Sequence, residues 1–251
     1  MRKILFNTVL ISTLALLIMS NTYTEECNET PTLSDSDYSQ SKGEFTDSRD
    51  GKVYKWVKIG DQIWMAENLS YTGNDIIHIS SKYQWINNAN FNGWCYYDDY
   101  KSYEKEYGVL YQWNAAKSAC PDGWHIPSKQ EWEQMLSYLV ANGYSYDGVI
   151  GHMYIAKSLT SLKGWNPTLS KGTAGNNDYE EFRNKTNFNA KPAGYRRQNG
   201  DFSNIGLSGL WWTFSNNSYA ADGIEIYYCK PKVYIHKYNK LRGMSVRCVK
   251  D

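Results

Sequence analysis

The stretch CPDGWHIPSKQEWEQM, residues 120–135, decides the fold because it ends one helix and begins another. Residues 111–119 favour a short helix, which Pro121 and Gly123 terminate. Ser128 is a good N-cap, and Glu131, three residues further on, completes a capping box. Apolar side chains then recur at helical spacing until Asn142-Gly143, a typical helix end. These side chains are Trp132, Met135, Leu136, Leu139 and Val140.

Strands are predicted on both sides of this helix pair. Residues 52–59 and 62–65 are rich in β-forming side chains, and the Gly60-Asp61 turn between them predicts a hairpin. Short strands are also predicted at 193–197, 209–214, 224–228, 233–238 and 244–249. The pattern is typical of an α+β domain with two helices beside a small antiparallel sheet.

Two long irregular segments, residues 73–107 and 144–191, interrupt this pattern with many Gly, Asn and Asp residues. Loops of that length inside a domain are uncommon unless they are functional. The second segment is therefore the expected contact zone, and it is called the long loop below.

The first 20 residues have the layout of a secretory signal peptide. Arg2 and Lys3 precede an apolar run over residues 9–19, which is shorter than the ~20 residues of a membrane span. An uncleaved anchor is the alternative interpretation. Cys27 lacks the small and aliphatic residues that precede a lipidated cysteine, so lipidation is not expected. We expect a secreted or cell-surface protein with no membrane span after processing.

The next segment, residues 21–45, contains many Thr, Ser, Asp and Glu residues and almost no aliphatic ones. Such a composition cannot bury enough apolar surface to offset the entropy lost on ordering. It predicts a flexible polar leader, followed by one folded domain over residues 46–251.

The charge and composition exclude one class of partner. Removal of residues 1–20 takes away Arg2 and Lys3 and leaves 25 basic against 26 acidic residues. A nucleic-acid-binding protein normally carries a basic field, so no nucleic acid is expected as a partner. Aromatic residues make up 16% of the chain, with ten Trp and 22 Tyr, which fits both a large core and a sugar-binding surface.

Several segments between residues 62 and 251 carry a family resemblance. They are QIWMAENL at 62–69, YGVLYQWNAA at 107–116, CPDGWHIPS at 120–128 with Glu131-Trp132, FNA at 188–190, PAGYR at 192–196, the Trp212 strand and SVRCVKD at 245–251. In this order they resemble the Fibrobacter succinogenes major paralogous domain family, which has no settled biochemical activity. A more distant similarity extends to C-type lectin-like domains and to the formylglycine-generating enzyme group. The resemblance implies a C-type lectin-like fold.

The same resemblance implies a disulfide between Cys120 and Cys248, because lectin-like domains join the end of the first helix to the last strand. Closing a loop of about 130 residues stabilises the folded state by about 4 kcal/mol in the chain-entropy model. Such a bond persists outside the cytoplasm. Cys95 lacks the local partner that the family often has, so a second disulfide between Cys95 and Cys229 is an alternative. The cysteine count leaves the connectivity of these residues and Cys27 open.

Neither a zinc motif nor a catalytic motif is evident. The four histidines are scattered, and the C-x-x-C and H-E-x-x-H patterns do not occur. Enzymes of the formylglycine-generating group use a cysteine pair near the end of the domain, for which Cys229 and Cys248 are the candidates here. The disulfide explains Cys248 better, so we expect no enzyme activity.

Calcium is the one metal for which the long loop offers ligands. Asn176, Asp178 and Glu180 carry the oxygen atoms that calcium prefers. The segment lacks the Glu-Pro-Asn and Trp-Asn-Asp patterns of calcium-dependent lectins. A solvated acidic loop is the simpler interpretation, and no cofactor is expected.

Aromatic and basic side chains on or beside the long loop are the candidates for ligand binding. Strand alternation sends one ring of Trp211-Trp212 inward and the other outward, and Trp212 matches the family framework. Trp211 is then the exposed candidate, although ordinary packing is the competing interpretation for every residue of the set. The set is Trp165, Tyr179, Tyr195, Arg196 and Trp211.

The sequence supports three functional hypotheses. The first is an exported, non-catalytic binding module for an extracellular glycan or surface protein, related to carbohydrate binding or adhesion. The second is an enzyme related to the formylglycine-generating group or acting on glycosides. The third is a purely structural component of the cell surface.

Overall fold

Short strands and helices make up the residues that the computed structural model describes, which are 41–73, 75–215 and 220–251. The strands are β1 (Lys42–Thr46), β2 (Val53–Ile59), β3 (Gln62–Met65), β4 (Ile77–His78), β5 (Gly93–Cys95), β6 (Leu110–Tyr111), β7 (Trp124–His125), β8 (Ala193–Arg196), β9 (Phe202–Ile205), β10 (Ser208–Trp212), β11 (Ala220–Tyr227), β12 (Val233–Asn239) and β13 (Val249–Lys250). The helices are α1 (Lys82–Ile86), α2 (Glu104–Tyr107), α3 (Trp113–Ala119), α4 (Lys129–Ala141) and α5 (Ala156–Leu159), with 3-10 turns at Tyr97–Asp99, Lys101–Tyr103 and Glu180–Phe182.

The predicted signal peptide at 1–20, the leader up to residue 40 and Cys27 lie outside the described residues. Within the described ranges, no helix is both long and apolar enough to span a membrane.

The two helices predicted around residues 111–142 are confirmed as α3 and α4. The Ser128 hydroxyl accepts a hydrogen bond from the Glu131 backbone N–H (3.2 Å), and the Glu131 carboxylate accepts one from the Ser128 N–H (2.7 Å). This is the predicted capping box. Asn142 caps the other end, and Gly143 has a left-handed φ of 68°, which a residue with a side chain rarely adopts. The helix buries Trp132, Met135 and Leu139.

The first sheet has the strand order β1-β2-β3-β13-β7, and all of its neighbouring strands are antiparallel. The predicted hairpin is confirmed, because β2 and β3 pair across the Gly60-Asp61 turn. β1 corrects the predicted start of the folded domain at residue 46, since it pairs with β2 from Lys42 onward. β1 is a half-exposed edge strand that contributes few apolar side chains, so backbone pairing forms it and composition does not reveal it.

Two further sheets correct the prediction of a single antiparallel sheet. The second sheet has the order β12-β11-β10-β8-β9, and the third has the order β4-β5-β6. The β8–β10 and β4–β5 pairs are parallel. After the β8–β9 hairpin, the chain returns on the other side of β8, so β10 runs in the same direction as β8. The fold class is therefore mixed α+β with three sheets and few helices.

The second sheet is covered on both faces. Leu210, Trp212 and Ala221 belong to one core cluster, together with Trp113 of α3. The alternate positions, including Trp211, Ile224 and Ile226, belong to another cluster with Trp132 of α4. Because successive residues of a strand point to opposite faces, both tryptophans of β10 are buried.

A disulfide joins Cys120, the C-cap of α3, to Cys248, which directly precedes β13. The two Cα atoms are 5.9 Å apart, and 128 positions separate the cysteines in the sequence. The bond therefore fastens the end of the chain to its middle, as the resemblance implied.

Candidate functional site

Three of the five predicted ligand-binding residues are buried. Trp211 is 0% exposed, and its indole Nε1 donates a hydrogen bond to Asn68 Oδ1 (2.9 Å). Arg196 is 1% exposed and donates hydrogen bonds to three backbone carbonyl groups. Tyr195 is 8% exposed and belongs to the core around α3. The prediction that Trp211 faces solvent is wrong, because β10 is covered on both faces.

The other two predicted residues lie on the long loop, where they pack against different groups of residues. Trp165 is half-buried and packs against the core cluster of α4. Tyr179 is half-exposed, and its ring centroid lies 4.9 Å from that of Tyr146. None of the five predicted residues lines the groove described below.

The predicted calcium ligands have a cationic partner within the protein. Lys157 Nζ lies 3.0 Å from Asp178 Oδ1 and donates a hydrogen bond to the Asn176 carbonyl oxygen (2.6 Å). Glu180 begins a 3-10 turn and is exposed. Among the described residues, no group of three or more His, Cys, Asp or Glu side chains is placed to hold a metal ion. The Lys157 ammonium group therefore neutralises this part of the loop.

The predicted second disulfide between Cys95 and Cys229 is wrong, since both cysteines are free thiols. Cys95 is buried in β5, the central strand of the third sheet, whereas Cys229 follows β11 and is half-exposed. Burial raises the pKa of Cys95 to about 12, so its thiol is inert at neutral pH. Cys248 is in the disulfide with Cys120, so Cys229 and Cys248 do not form a pair of thiols.

A long polar groove runs along one side of β2, and its two parts share Asn189 as a common wall. We call it the Asn189 groove. The larger part has a volume of about 590 Å³, and its lining includes Lys52, Asn68, Glu104, Glu106 and Lys191. The smaller part has a volume of about 510 Å³, and its lining includes Gly43, Lys55, Trp56, Asn184 and Asn187.

The floor of the groove is a buried hydrogen-bond network centred on Asn68. Its Oδ1 accepts hydrogen bonds from Trp211 Nε1 (2.9 Å) and Arg247 Nε (3.1 Å). Its Nδ2 donates to the Tyr107 carbonyl oxygen (2.9 Å) and to Ser245 Oγ (3.3 Å). All four hydrogen-bonding positions of this amide are used, so the Asn68 side chain is held rigidly.

Arg247 connects this network to the wall of the groove. It is 0% exposed, and it donates hydrogen bonds to the carbonyl oxygens of Phe188 and, at 2.9 Å, Asn189. Burial lowers the pKa of the guanidinium group. The planar guanidinium group carries N–H donors in several directions, so it can bind several carbonyl oxygens at once. These hydrogen bonds fix the backbone at residues 188–189.

Three asparagines form the wall with backbones in the left-handed region. The φ angles of Asn184, Asn187 and Asn189 are 52°, 57° and 58°. Asparagine tolerates this region better than most residues. Asn184 Oδ1 accepts a hydrogen bond from the Asn189 N–H (2.8 Å), which holds the turn. In the described part of the chain, no hydrogen bond engages the side-chain amides of Asn187 and Asn189, so these amides are available to a ligand.

Trp56 supplies an aromatic surface at the other side of the groove. It lies in β2 opposite Gly43 of the edge strand β1 and is half-exposed. A Cβ atom at position 43 would lie 2.6 Å from the indole ring, so only glycine allows the strand to approach the ring this closely. The ring is thereby fixed while one side remains accessible.

Ion pairs define the charge of the larger part of the groove. Lys52 Nζ lies 2.9 Å from Glu104 Oε1, and Lys191 Nζ lies 2.5 Å from Glu106 Oε1. Both glutamates belong to α2, whose position they fix against β2 and the segment before β8. The groove therefore combines donors and acceptors with a comparable amount of apolar surface, a lining that suits an uncharged or weakly charged ligand with both polar and apolar faces.

Sequence reasoning missed every residue of this groove as a binding residue. Five of them stand inside segments that carry the family resemblance: Ala66, Glu67 and Asn68 in QIWMAENL, Gly108 in YGVLYQWNAA and Asn189 in FNA. The signal was therefore present, but the segments lie far apart in sequence, and only the tertiary structure brings them together. Trp56 gave no signal, because a tryptophan in an alternating strand is equally typical of a core.

The fold and the groove together define a mixed α+β domain that is closed by a disulfide and carries a polar surface groove. The chain belongs to the Fibrobacter succinogenes major domain family, whose model matches residues 57–250. The match confirms the predicted family. Among the strands and helices of the domain, it leaves out β1 and the first part of β2. No curated protein and no solved structure matches the chain.

Proposed function

We propose that this chain is an exported binding module that holds a carbohydrate or a similarly polar extracellular ligand in the Asn189 groove, without covalent chemistry. The observation that carries the proposal is the half-exposed Trp56 ring, which lines the smaller part of the groove together with Asn187 and Asn189, whose side-chain amides have free hydrogen-bonding capacity. A flat ring matches the apolar face of a pyranose, and amides match its hydroxyl groups. The partner is then a glycan or glycosylated protein outside the cell, consistent with a role in adhesion.

The rigidity of the groove supports this function. Arg247, Asn68 and Trp211 hold the floor, and Asn184 holds the wall, so little ordering remains to be done when a ligand binds. Pre-organised sites lose less conformational entropy on binding, which favours affinity from few contacts.

Export and a C-type lectin-like arrangement belong to the same proposal. The disulfide supports export, because such bonds persist in oxidising compartments. It also supports the lectin-like arrangement, since it fastens the end of α3 to the residue before the last strand, and the long loop lies within the segment that this bond closes. A non-catalytic role is supported by Cys248, whose sulfur is bonded to Cys120.

A glycan array probed with the purified mature chain tests the proposal, and titration calorimetry then measures affinity for a glycan that the array retains. Trp56→Ala is expected to weaken binding at least about tenfold, the equivalent of ~1.4 kcal/mol of ring contact. Tyr83→Ala is the matched control, since Tyr83 is a 77% exposed ring outside the groove.

A second variant separates loss of contact from loss of folding. Asn187→Gly removes the amide but keeps a residue that accepts the left-handed backbone, and it is expected to weaken binding several-fold with an unchanged unfolding midpoint. Asn204→Gly, at a φ of 67° in β9, is its control. The proposal is contradicted if the folded chain binds no glycan on the array. It is also contradicted if Trp56→Ala binds the glycan with the same affinity as wild type.

A further inference from the structure

The long loop presents a rigid apolar turn that the Asn189 groove does not use. Val149, Ile150 and Met153 are 44%, 70% and 59% exposed, and they stand within five positions. Single exposed apolar residues are ordinary on protein surfaces, but three large ones on one turn are not. A Cβ atom at Gly151, between them, would meet no atom within 4 Å, so the turn projects into open space. We call residues 148–153 the apolar tip.

The apolar tip is held in one conformation by its base. Asp147 Oδ1 accepts hydrogen bonds from Ser145 Oγ (2.6 Å) and the Val149 N–H (3.1 Å), while its Oδ2 lies 2.8 Å from His152 Nδ1. These contacts hold the pKa of Asp147 at about 2, so the base stays charged and intact across the physiological range. The Gly151 N–H donates to the Val140 carbonyl oxygen at the end of α4 (2.9 Å). A tip fixed in this way exposes its aliphatic side chains permanently.

Tyrosine rings surround the base of the tip. The ring of Tyr154 lies 5.6 Å from His152 and 5.7 Å from Tyr146, and Tyr146 lies 4.9 Å from Tyr179. Gly172 packs directly against Tyr146, since a Cβ atom there would lie 2.0 Å from its ring. The three tyrosines are half-exposed and form a continuous collar.

Two lysines stand beside this collar on opposite sides. Lys232 Nζ is 5.6 Å from the Tyr154 ring centroid, and Lys171 Nζ is 5.5 Å from that of Tyr179. Both side chains are exposed. The aliphatic tip is therefore adjacent to tyrosine rings, and two of these rings are adjacent to ammonium groups.

We infer that the apolar tip inserts into the surface of a lipid bilayer whose headgroups are anionic. This combination of neighbouring side chains suits a bilayer surface, where hydrocarbon is followed by an interface that favours tyrosine and by phosphates that attract lysine. A protein partner is a poorer fit, because a stable protein interface covers about 800 Å² on each side and a projecting turn of six residues offers far less. This surface is separate from the Asn189 groove, and the inference does not depend on the proposed function.

Co-sedimentation with vesicles of 70% phosphatidylcholine and 30% phosphatidylglycerol tests the inference on the purified mature chain. Ile150→Ser is expected to lower the partition coefficient about tenfold, since it removes the most exposed aliphatic side chain of the tip. Ile77→Ser is the matched control, because Ile77 is a 51% exposed isoleucine in β4. The double variant Lys171→Gln/Lys232→Gln is expected to lower binding several-fold and to remove most of its dependence on salt.

The possible results of these experiments are distinguishable. No sedimentation of the wild-type chain with the vesicles overturns the inference, as does an equal loss in Ile150→Ser and Ile77→Ser. A loss in Ile150→Ser that tracks a change from dimer to monomer in light scattering also overturns it, because the tip then covers a second copy of the chain. Retention of glycan binding by Ile150→Ser supports the separation of the two surfaces.

Discussion

Two buried cations hold two different regions of the molecule, and they do so in different ways. Arg247 lies in the framework below the Asn189 groove and reaches Asn68 and the backbone at Met65, Phe188 and Asn189. Lys157 lies in the long loop, and its ammonium group reaches Asp178 and the Asn176 carbonyl oxygen among the described residues. Arg247 therefore joins segments between 58 and 182 positions away, whereas the partners of Lys157 are about 20 positions away in sequence.

This difference predicts two kinds of stability. A group that joins distant segments is needed by the whole fold, while a group that joins neighbouring turns stabilises a local unit. The framework is thus expected to unfold only globally. The long loop is expected to open as a separate unit, at a lower free energy than the framework.

The largest effect is expected for Arg247→Met, which removes the guanidinium but keeps a side chain of similar length. The carbonyl oxygens of Phe188 and Asn189 lose their buried donor, and each unsatisfied group is costly, so we expect a loss of about 3 kcal/mol in the free energy of unfolding. Urea denaturation measures it. Arg197→Met is the control, because Arg197 is exposed and its guanidinium group donates to a hydroxyl, Ser203 Oγ, and to no buried carbonyl oxygen within the described ranges. Equal unfolding midpoints for both variants would show that Arg247 does not stabilise the framework.

A smaller and local effect is expected for Lys157→Met. The side chain is 1% exposed, and its removal leaves the Asp178 carboxylate without its cation, which costs about 1–2 kcal/mol because Asp178 is itself partly exposed to water. Burial, the largest influence on its pKa, lowers that pKa despite the bond with Asp178. Amide hydrogen exchange is expected to speed up at residues 157–189 and not in β10 or β11. Lys163→Met, at an exposed position, is the control. Equal acceleration in the sheet would show that the loop is not a separate unit.

The local parts of the fold could be predicted from the sequence, and the parts that depend on distant pairing could not. The Ser128–Glu131 capping box and the Gly60-Asp61 hairpin each depend on contacts within a few residues. β1 and the parallel β8–β10 pair depend on strands that are distant or polar. Residues 244–249 were predicted as one strand, but Met244 and Ser245 form isolated bridges with Tyr111 and Trp211, and only Val249–Lys250 is a strand.

The site was predicted less well than the fold for a related reason. The family resemblance correctly placed Trp212 in the core. Alternation along β10 then wrongly placed Trp211 in solvent, because alternation alone does not reveal a second covered face. Tyr179 is the one predicted residue that the structure places on an exposed aromatic surface, within the collar of the apolar tip. The asparagine wall escaped prediction because its role depends on backbone angles and on Arg247, which approaches from the far end of the chain.

The smallest effect is expected at the outer edge of the framework, where charges are open to water. His125 Nδ1 lies 2.5 Å from Asp251 Oδ1, and His125 Nε2 lies 2.7 Å from Glu131 Oε1. Partial burial opposes the charged imidazolium, but the bonds to Asp251 and Glu131 outweigh it and raise the pKa of His125 above 6.5. Burial likewise opposes the Glu131 carboxylate, but hydrogen bonds from Ser128 and His125 lower its pKa below 4.5.

These two shifts define a pH window. The contribution of His125 is complete below pH 6.5 and is lost as the pH rises through its raised pKa. The contribution of Glu131 is present above pH 4.5 and is lost as the pH falls through its lowered pKa. The cluster therefore contributes most between pH 4.5 and 6.5, by less than about 1 kcal/mol because its members are partly exposed.

Unfolding midpoints of His125→Gln between pH 4 and 9 measure this contribution. The difference from wild type is expected to be largest near pH 5–6 and to shrink toward pH 9, as neutral glutamine and neutral histidine become equivalent. His236→Gln, at an exposed position in β12, is the control. A pH-independent difference for His125→Gln would mean that its bonds do not depend on charge. The edge of the framework would then be held by hydrogen bonding alone, as its interior is held around Asn68.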